Sequence, residues 1–295
     1  MTGNRTVTVV AACLFLALFA GSVFSLREVD AARGQDATME EILYLPSGKT
    51  VKHLSLGYSS LLADIYWTRA VQYFGGRLGQ PSMRYDLLYP LLDITTDLDP
   101  HLLEAYQSGS VFLSQPQPEG AGQPDKAVAL LEKGIRENPS YWRLYFTLGF
   151  VHYIDRRDFK SAQEAFEKGS NVPGALPFMK VMAARMAERS DDISTAMYLW
   201  KAVYEVTADP TVKETAMKHL ASLQATLDMA ELARRVQFYR EKAGALPTSW
   251  TDLVRVGLLR GVPLDPNGAA YKLMPDGTIQ VEDPRKFPFL SPGRR

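Results

Sequence analysis

Four histidines, His53, His101, His152 and His219, and one cysteine, Cys13, are the side chains of this 295-residue chain best suited to metal ligation or nucleophilic chemistry. No histidine has a second one at ligand spacing, and a lone cysteine supplies neither an intramolecular disulfide nor a cysteine-based zinc site. There is no glycine-rich phosphate loop, no His-Glu-x-x-His pair and no Gly-x-Ser-x-Gly elbow. Each histidine therefore reads as a helix-surface or packing residue. Asp191 and Asp192 beside Ser190 read as acidic side chains at the start of a helix, where they favour the positive end of its dipole, rather than as a catalytic pair. Asp64, inside the apolar run Leu-Leu-Ala-Asp-Ile-Tyr-Trp, is the odd carboxylate; it suits accepting hydrogen bonds from a neighbouring segment or lying in a groove. No enzyme activity, cofactor or small-molecule substrate is expected.

The elements that hold these residues come from composition and period. With 46% hydrophobic and 22% charged residues the chain can bury a sizeable core, in one elongated domain or two compact ones. Thirty-three basic residues balance thirty-three acidic ones with no long single-sign run, which disfavours nucleic acid as a partner. From Thr6 to Leu26 no residue is charged, a length that crosses a hydrocarbon core of about 30 Å as a helix. One transmembrane anchor is expected over 1–26. Arg5 and the terminal amine precede it and Arg27, Glu28, Asp30 and Arg33 follow, so the positive-inside rule weakly favours a cytoplasmic N-terminus with the bulk of the chain outside. The rival reading is a signal peptide cleaved near Ala20-Gly21-Ser22. Val10-Ala11-Ala12-Cys13 has the outline of a lipoprotein box, but the apolar run continues well past it.

Beyond a linker over 27–55, apolar residues fall at helical spacing. In Ala127–Pro139, Ala127, Val128, Leu131 and Ile135 form one stripe and Glu132, Lys133 and Arg136 face away. Pro139 forces Asn138 out of the helix and suits the first turn of the next one. Comparable prolines stand at Pro100, Pro173 and Pro210, giving separations of 39, 34 and 37 residues, the period of a helical array. The stretch 211–243 reads as one long capping helix, with Met217, Leu220, Leu223, Leu227, Leu232 and Val236 as its stripe.

The residues inside each period resemble the tetratricopeptide repeat (TPR), which sets small residues where its two helices cross and large apolar ones beside them. The third repeat is clearest, with Tyr145, Leu148 and Gly149, then Ala162, Phe166, Gly169 and Pro173. The second has Gly109, Phe112, Ala127, Leu131, Gly134 and Pro139, with an inserted loop Ser-Gln-Pro-Gln-Pro-Glu-Gly-Ala-Gly-Gln-Pro. The fourth has Ala183, Ala184, Ala187, Ala196, Trp200 and Val203. The first, with Tyr66, Ala70, Tyr73, Leu88 and Leu92, diverges most. Four repeats cover 56–210. The segment from Leu54 to Gly75 also resembles the opening of a family of bacterial membrane-anchored TPR proteins. The resemblance implies a mainly α fold: a right-handed α-solenoid of helix-turn-helix repeats behind an N-terminal transmembrane helix. It also implies a concave groove. The repeat alignment puts Trp67, Tyr106, Phe146 and Val181 in one row of that groove and Val71, Ser110, Phe150 and Arg185 in a second. Such a groove would take an apolar or aromatic peptide with Arg185 on a carboxylate. Alternatively the chain fills it itself, with 34–55 or its C-terminal module.

After the long helix the composition changes. Ser249 and Asp252 make a capping pair for a short helix that Gly257 can end. A turn at Asp265-Pro266-Asn267-Gly268 leads to a hairpin in which Tyr271 and Leu273 face Ile279 and Val281 across Pro275-Asp276-Gly277. This small α+β module, 244–283, resembles the C-terminal part of type II secretion pseudopilins and related type IV pilin-like proteins. Some of those hold calcium, for which Asp265, Asn267 and Asp276 are the oxygen donors here; Asp, Asn and Gly also occupy turns for backbone reasons alone. The segment 284–295 is Pro-rich and basic and reads as a disordered tail.

The resemblances together imply a single-pass protein of the bacterial inner membrane with its bulk in the periplasm, or a periplasmic protein if the signal is cleaved. Its expected role is a scaffold or adaptor that binds a protein or peptide partner, in assembly of a type IV pilus or type II secretion system. The alternatives are a pilin-like structural subunit and an enzyme with an unrecognised site.

Overall fold

A computed structural model describes Gly21, residues 47–79 and residues 84–290. The anchor expected over 1–26 lies outside the described residues apart from Gly21, as do most of the expected 27–55 linker and the last five residues. Among the described residues no helix is long and apolar enough to cross a membrane. The protein is mainly α, and it divides into two compact units, Met1–Lys126 and Ala127–Arg295.

In the first unit, α1 (Gly48–Leu54) begins where the Ser47 hydroxyl accepts a hydrogen bond from the Thr50 N–H at 3.2 Å. It lies so close on α3 (Leu88–Leu98) that a Cβ at Gly48 would stand 2.5 Å from that of Asp97. Between them in sequence, α2 (Ser59–Gly75) packs on α3 through Ala63 and Ala70, and α4 (Leu103–Ser114) follows with Ala105 and Leu113 buried. The loop after α4 turns back on that helix. The N–H groups of Ala121, Gly122 and Gln123 donate to the carbonyls of Phe112, Gln115 and Leu113 at 2.9, 2.8 and 2.7 Å. The insertion thus satisfies carbonyls that a helix end leaves without partners.

A helix α5 (Pro124–Glu137) crosses the boundary between the units. In the second unit follow α6 (Trp142–Phe150), α7 (Phe159–Ser170), α8 (Phe178–Arg189) and α9 (Ile193–Val206), each of the last three packed on its predecessor. Small residues let them approach: a Cβ at Gly149 would come within 2.7 Å of the Phe166 ring, and one at Gly169 would meet Tyr145 and Met179. Ala162, Ala183, Ala184 and Ala196 are wholly buried in the same core. A π-helical turn, Val151–Asp155, prolongs α6.

Of Pro100, Pro139, Pro173 and Pro210, only Pro210 stands in the first turn of a helix, that of α10 (Pro210–Ala243), with Asp209 as its cap. Pro139 lies in a separate turn between Glu137 and the start of α6 at Trp142, because Tyr141 takes the extended cap conformation. Asp192 caps α9, its carboxylate accepting from the Thr195 N–H at 3.0 Å and hydroxyl at 2.7 Å.

The long helix α10 serves two cores. Ala216 and Leu223 join the α8–α9 core; Ala225, Leu232 and Val236 join a second core with Trp250, Leu253, Tyr271, Val281 and Phe287. Its stripe differs from the one expected, since Met217 and Leu227 are exposed and the small Ala216 and Ala225 are buried instead. A helix packed on two sides buries small residues at close approaches and turns some leucines outward. Gly244, with φ of 75°, ends the helix in the left-handed conformation. Then α11 (Trp250–Arg255) and a hairpin of β1 (Lys272–Leu273) and β2 (Ile279–Gln280) complete the second core, with Leu273 opposite Ile279. The Trp250 indole N–H donates to the Tyr271 carbonyl at 2.7 Å and the Tyr271 hydroxyl to Asp228 at 3.0 Å.

The segment from Pro284, expected to be unstructured, instead packs down as far as Leu290. Phe287 is buried in the second core and the Phe289 N–H donates to the Ser222 hydroxyl at 3.4 Å. Phe287 supplies the apolar burial that the prolines and cations around it lack.

Candidate functional site

The two rows of side chains expected to line one groove fall into different environments. In the first unit, Trp67 is half-buried and stacks on Phe112 with centroids 6.1 Å apart, and Phe112 stacks in turn on Phe74 at 4.2 Å. Tyr106 and Ser110 are wholly buried and offer no binding surface, which corrects their placement on a groove wall. Tyr106 and Ser110, one turn apart, share the buried side of α4 with Ala105, Gly109 and Leu113. Val71 is exposed, and so is Asp64.

In the second unit, Phe146 and Phe150 are half-buried in an aromatic cluster. Their rings meet edge to face at 4.8 Å and Phe150 meets Phe166 at 5.2 Å, the geometry that aromatic quadrupoles prefer. Val181 and Arg185 lie on α8 and line a cleft of about 620 Å3 between α8, α9 and the start of α10. Phe178, Val181, Val203, Val206 and Val212 make its walls apolar. Lys180 and Arg185 also line it, and neither forms an ion pair among the described residues. Its one carboxylate, Asp209, is held by the cap of α10, accepting from the Thr211 and Val212 N–H groups at 2.8 and 3.3 Å. The cleft is apolar inside and cationic in balance.

The calcium donors do not converge. The Asp265 carboxylate accepts from the N–H groups of Asn267 and Ala269 at 2.9 and 3.0 Å, and the Asp276 carboxylate from the Thr278 N–H at 2.9 Å. Both close their own turns. Among the described residues no three His, Cys, Asp or Glu side chains group as metal ligands would.

Two histidine environments were not legible from spacing. His152, in the π-helical turn, is buried beside a second cleft of about 510 Å3 lined by Glu132, Arg136, Arg156, Asp158 and Glu164. Its Nδ1 has no hydrogen-bond partner. Burial first, and then Arg156, lower its pKa, against the opposing pull of Asp158, Glu132 and Glu164. His219 is buried between Trp200 and Phe289, with centroid distances of 3.9 and 3.5 Å and nearly parallel rings. Its Nδ1–H donates to Glu188 Oε1 at 2.7 Å, the same oxygen that accepts from the Trp200 indole N–H at 2.7 Å. Glu188, Trp200, His219 and Phe289 belong to different elements, so no period links them; only Trp200 carried a signal, as a large apolar repeat position.

No family model matches the sequence, and no curated protein matches it.

Proposed function

We propose that this chain is a non-enzymatic adaptor: a TPR-like α-solenoid anchored in the bacterial inner membrane, whose second unit binds a protein or peptide partner in the α8–α9–α10 cleft. The observation that carries the reading is the cleft itself, with apolar walls and the unpaired cations Lys180 and Arg185. It suits a short apolar segment ending in, or flanked by, a carboxylate. Burying the apolar residues contributes about 0.8 kcal/mol per methylene. An exposed Arg185–carboxylate pair adds only about 0.2–1 kcal/mol and chiefly sets orientation. The small residues Gly149, Gly169, Ala183 and Ala196 at helix crossings support the repeat reading. Assembly of a type IV pilus or type II secretion machine is the proposed setting, on the C-terminal module's sequence resemblance. Photo-crosslinking in cells tests it, with the probe at Phe178, Val181 or Arg185 and, as control, at exposed Tyr198. Adducts to one envelope protein from the three cleft positions, weakened by Arg185→Glu, are expected. Adducts no different from those at position 198 would sink it.

A second reading, a pilin-like subunit, is favoured by one observation: the hairpin module packs on the C-terminal half of the 34-residue α10, a long helix carrying a small sheet. It requires processing beside the N-terminal apolar segment. An intact N-terminal mass for the protein taken from membranes would eliminate it.

A further inference from the structure

We propose that the first unit carries a membrane-facing surface, from Leu54 to Ile65, which lies on an anionic bilayer. Five large apolar side chains there are left in water: Leu54 is 73% exposed, Leu56 88%, Tyr58 68%, Leu61 58% and Ile65 47%. They fall within twelve residues of one another. Leu61 and Ile65 stand one turn apart on α2, with Tyr58 just before them, while Ala63, Ala70 and Phe74 on the other side of the helix fill the core. Leu56, with φ of 50°, holds a left-handed backbone that is unfavourable for leucine, and Gly57 follows at 92°. A strained turn that displays a leucine to solvent gains nothing in packing; such strain marks surfaces that meet something.

What they meet is argued from charge and composition. Lys49, Lys52 and Arg69 are exposed on α1 and α2, three cations against two carboxylates, the exposed Asp64 and the half-buried Asp97 beside Gly48. Lys52 reaches the Asp97 carbonyl at 3.0 Å and Arg69 lies over Tyr66 at 5.5 Å. Leucines and a tyrosine flanked by lysines suit a membrane interface, whereas lysine is depleted from protein–protein interfaces. The uncharged run Thr6–Leu26 ends only twenty residues before Ser47, a tether of at most about 70 Å. The inference rests on the membrane anchor proposed above.

The test uses the full chain with Cys13→Ser and one new cysteine, Leu54→Cys, Leu56→Cys, Leu61→Cys or Ile65→Cys, or Tyr198→Cys as control. Each is labelled with an environment-sensitive fluorophore and reconstituted into phosphatidylcholine vesicles, with or without phosphatidylglycerol, whose acyl chains carry bromine. Blue-shifted emission quenched by the brominated chains is expected at the four patch positions, more so with phosphatidylglycerol, and not at 198. Lys49→Gln or Arg69→Gln is expected to lower the docked-to-free ratio about fivefold. Water-like, unquenched emission at all four positions, in protein that resists carbonate extraction, overturns the surface and leaves the anchor standing. Release by carbonate overturns the anchor and this surface with it. Emission that is blue-shifted yet unquenched by the brominated chains overturns the surface too, since another copy or residues 27–46 would then cover it.

Discussion

Glycine 149 shows how a single atom decides packing. Exchanging a helical glycine for alanine ordinarily stabilises by about 1 kcal/mol, but here the new Cβ would sit 2.7 Å from a wholly buried ring. Overpacking of that kind costs about 1–3 kcal/mol, so Gly149→Ala is expected to lower the thermal midpoint, as calorimetry would read. Glu188 is the opposite case, a side chain that two buried donors need. Glu188→Ala leaves the Trp200 and His219 N–H groups without their acceptor and is expected to cost about 2–4 kcal/mol in urea unfolding. Glu188→Gln, which keeps a carbonyl oxygen, costs less. His152 sets a pH dependence. Because burial holds its folded pKa below the ordinary 6.5, the unfolded chain takes up the proton first. Stability from this group is therefore complete above pH 6.5 and falls with acidification through the lower folded value. His152→Gln is expected to flatten the pH dependence of the unfolding midpoint below pH 6.5. Asp158 and Asp192, lowered by hydrogen bonds from Ser161 and Thr195, lose their contribution only further down, below 3.8.

Helices and turns were more legible in the sequence than the surfaces they present. The stripe of Ala127, Val128 and Leu131 locates α5, and alternation of Tyr271, Leu273, Ile279 and Val281 about Asp276-Gly277 locates the hairpin, because both signals are local. Tyr106 could not be placed that way. Helical spacing says which side of α4 it occupies, but whether that side meets water depends on neighbours many residues away. The tail from Pro284 was misread for the same reason: its composition suits a loop, while Phe287 finds burial in the second core, and Phe289 a stacking partner in His219, only once the fold exists. Phe287→Ala is accordingly expected to cost about 3–5 kcal/mol and to speed amide exchange at Met274, which donates to the Thr278 carbonyl within the hairpin. Of the candidate site, Val181 and Arg185 were legible as neighbours one turn apart; the remaining walls come from α9 and α10.

At the scale of the molecule, each unit is its own account of stability, and within the second unit α10 is the shared member. A defect in its hairpin core, such as Leu253→Ala, is expected to weaken hydrogen-exchange protection along the N-terminal half of α10 as well, since one continuous helix belongs to both cores. Full protection of residues 212–223 in that variant would show two independent folding units instead. The continuity also sets a rule of angular phase. A residue inserted between Asp228 and Glu231 rotates everything after it by about 100° and carries Leu232 and Val236 off the side they share with Ala225. Seven inserted residues bring them back to within about 20°. The spacing between the α8–α9 core and the hairpin is thus adjustable only by lengths close to whole numbers of turns, about seven, eleven or eighteen residues, and a change in length elsewhere in the chain, in the loop after Ser114 for instance, meets no such quantum.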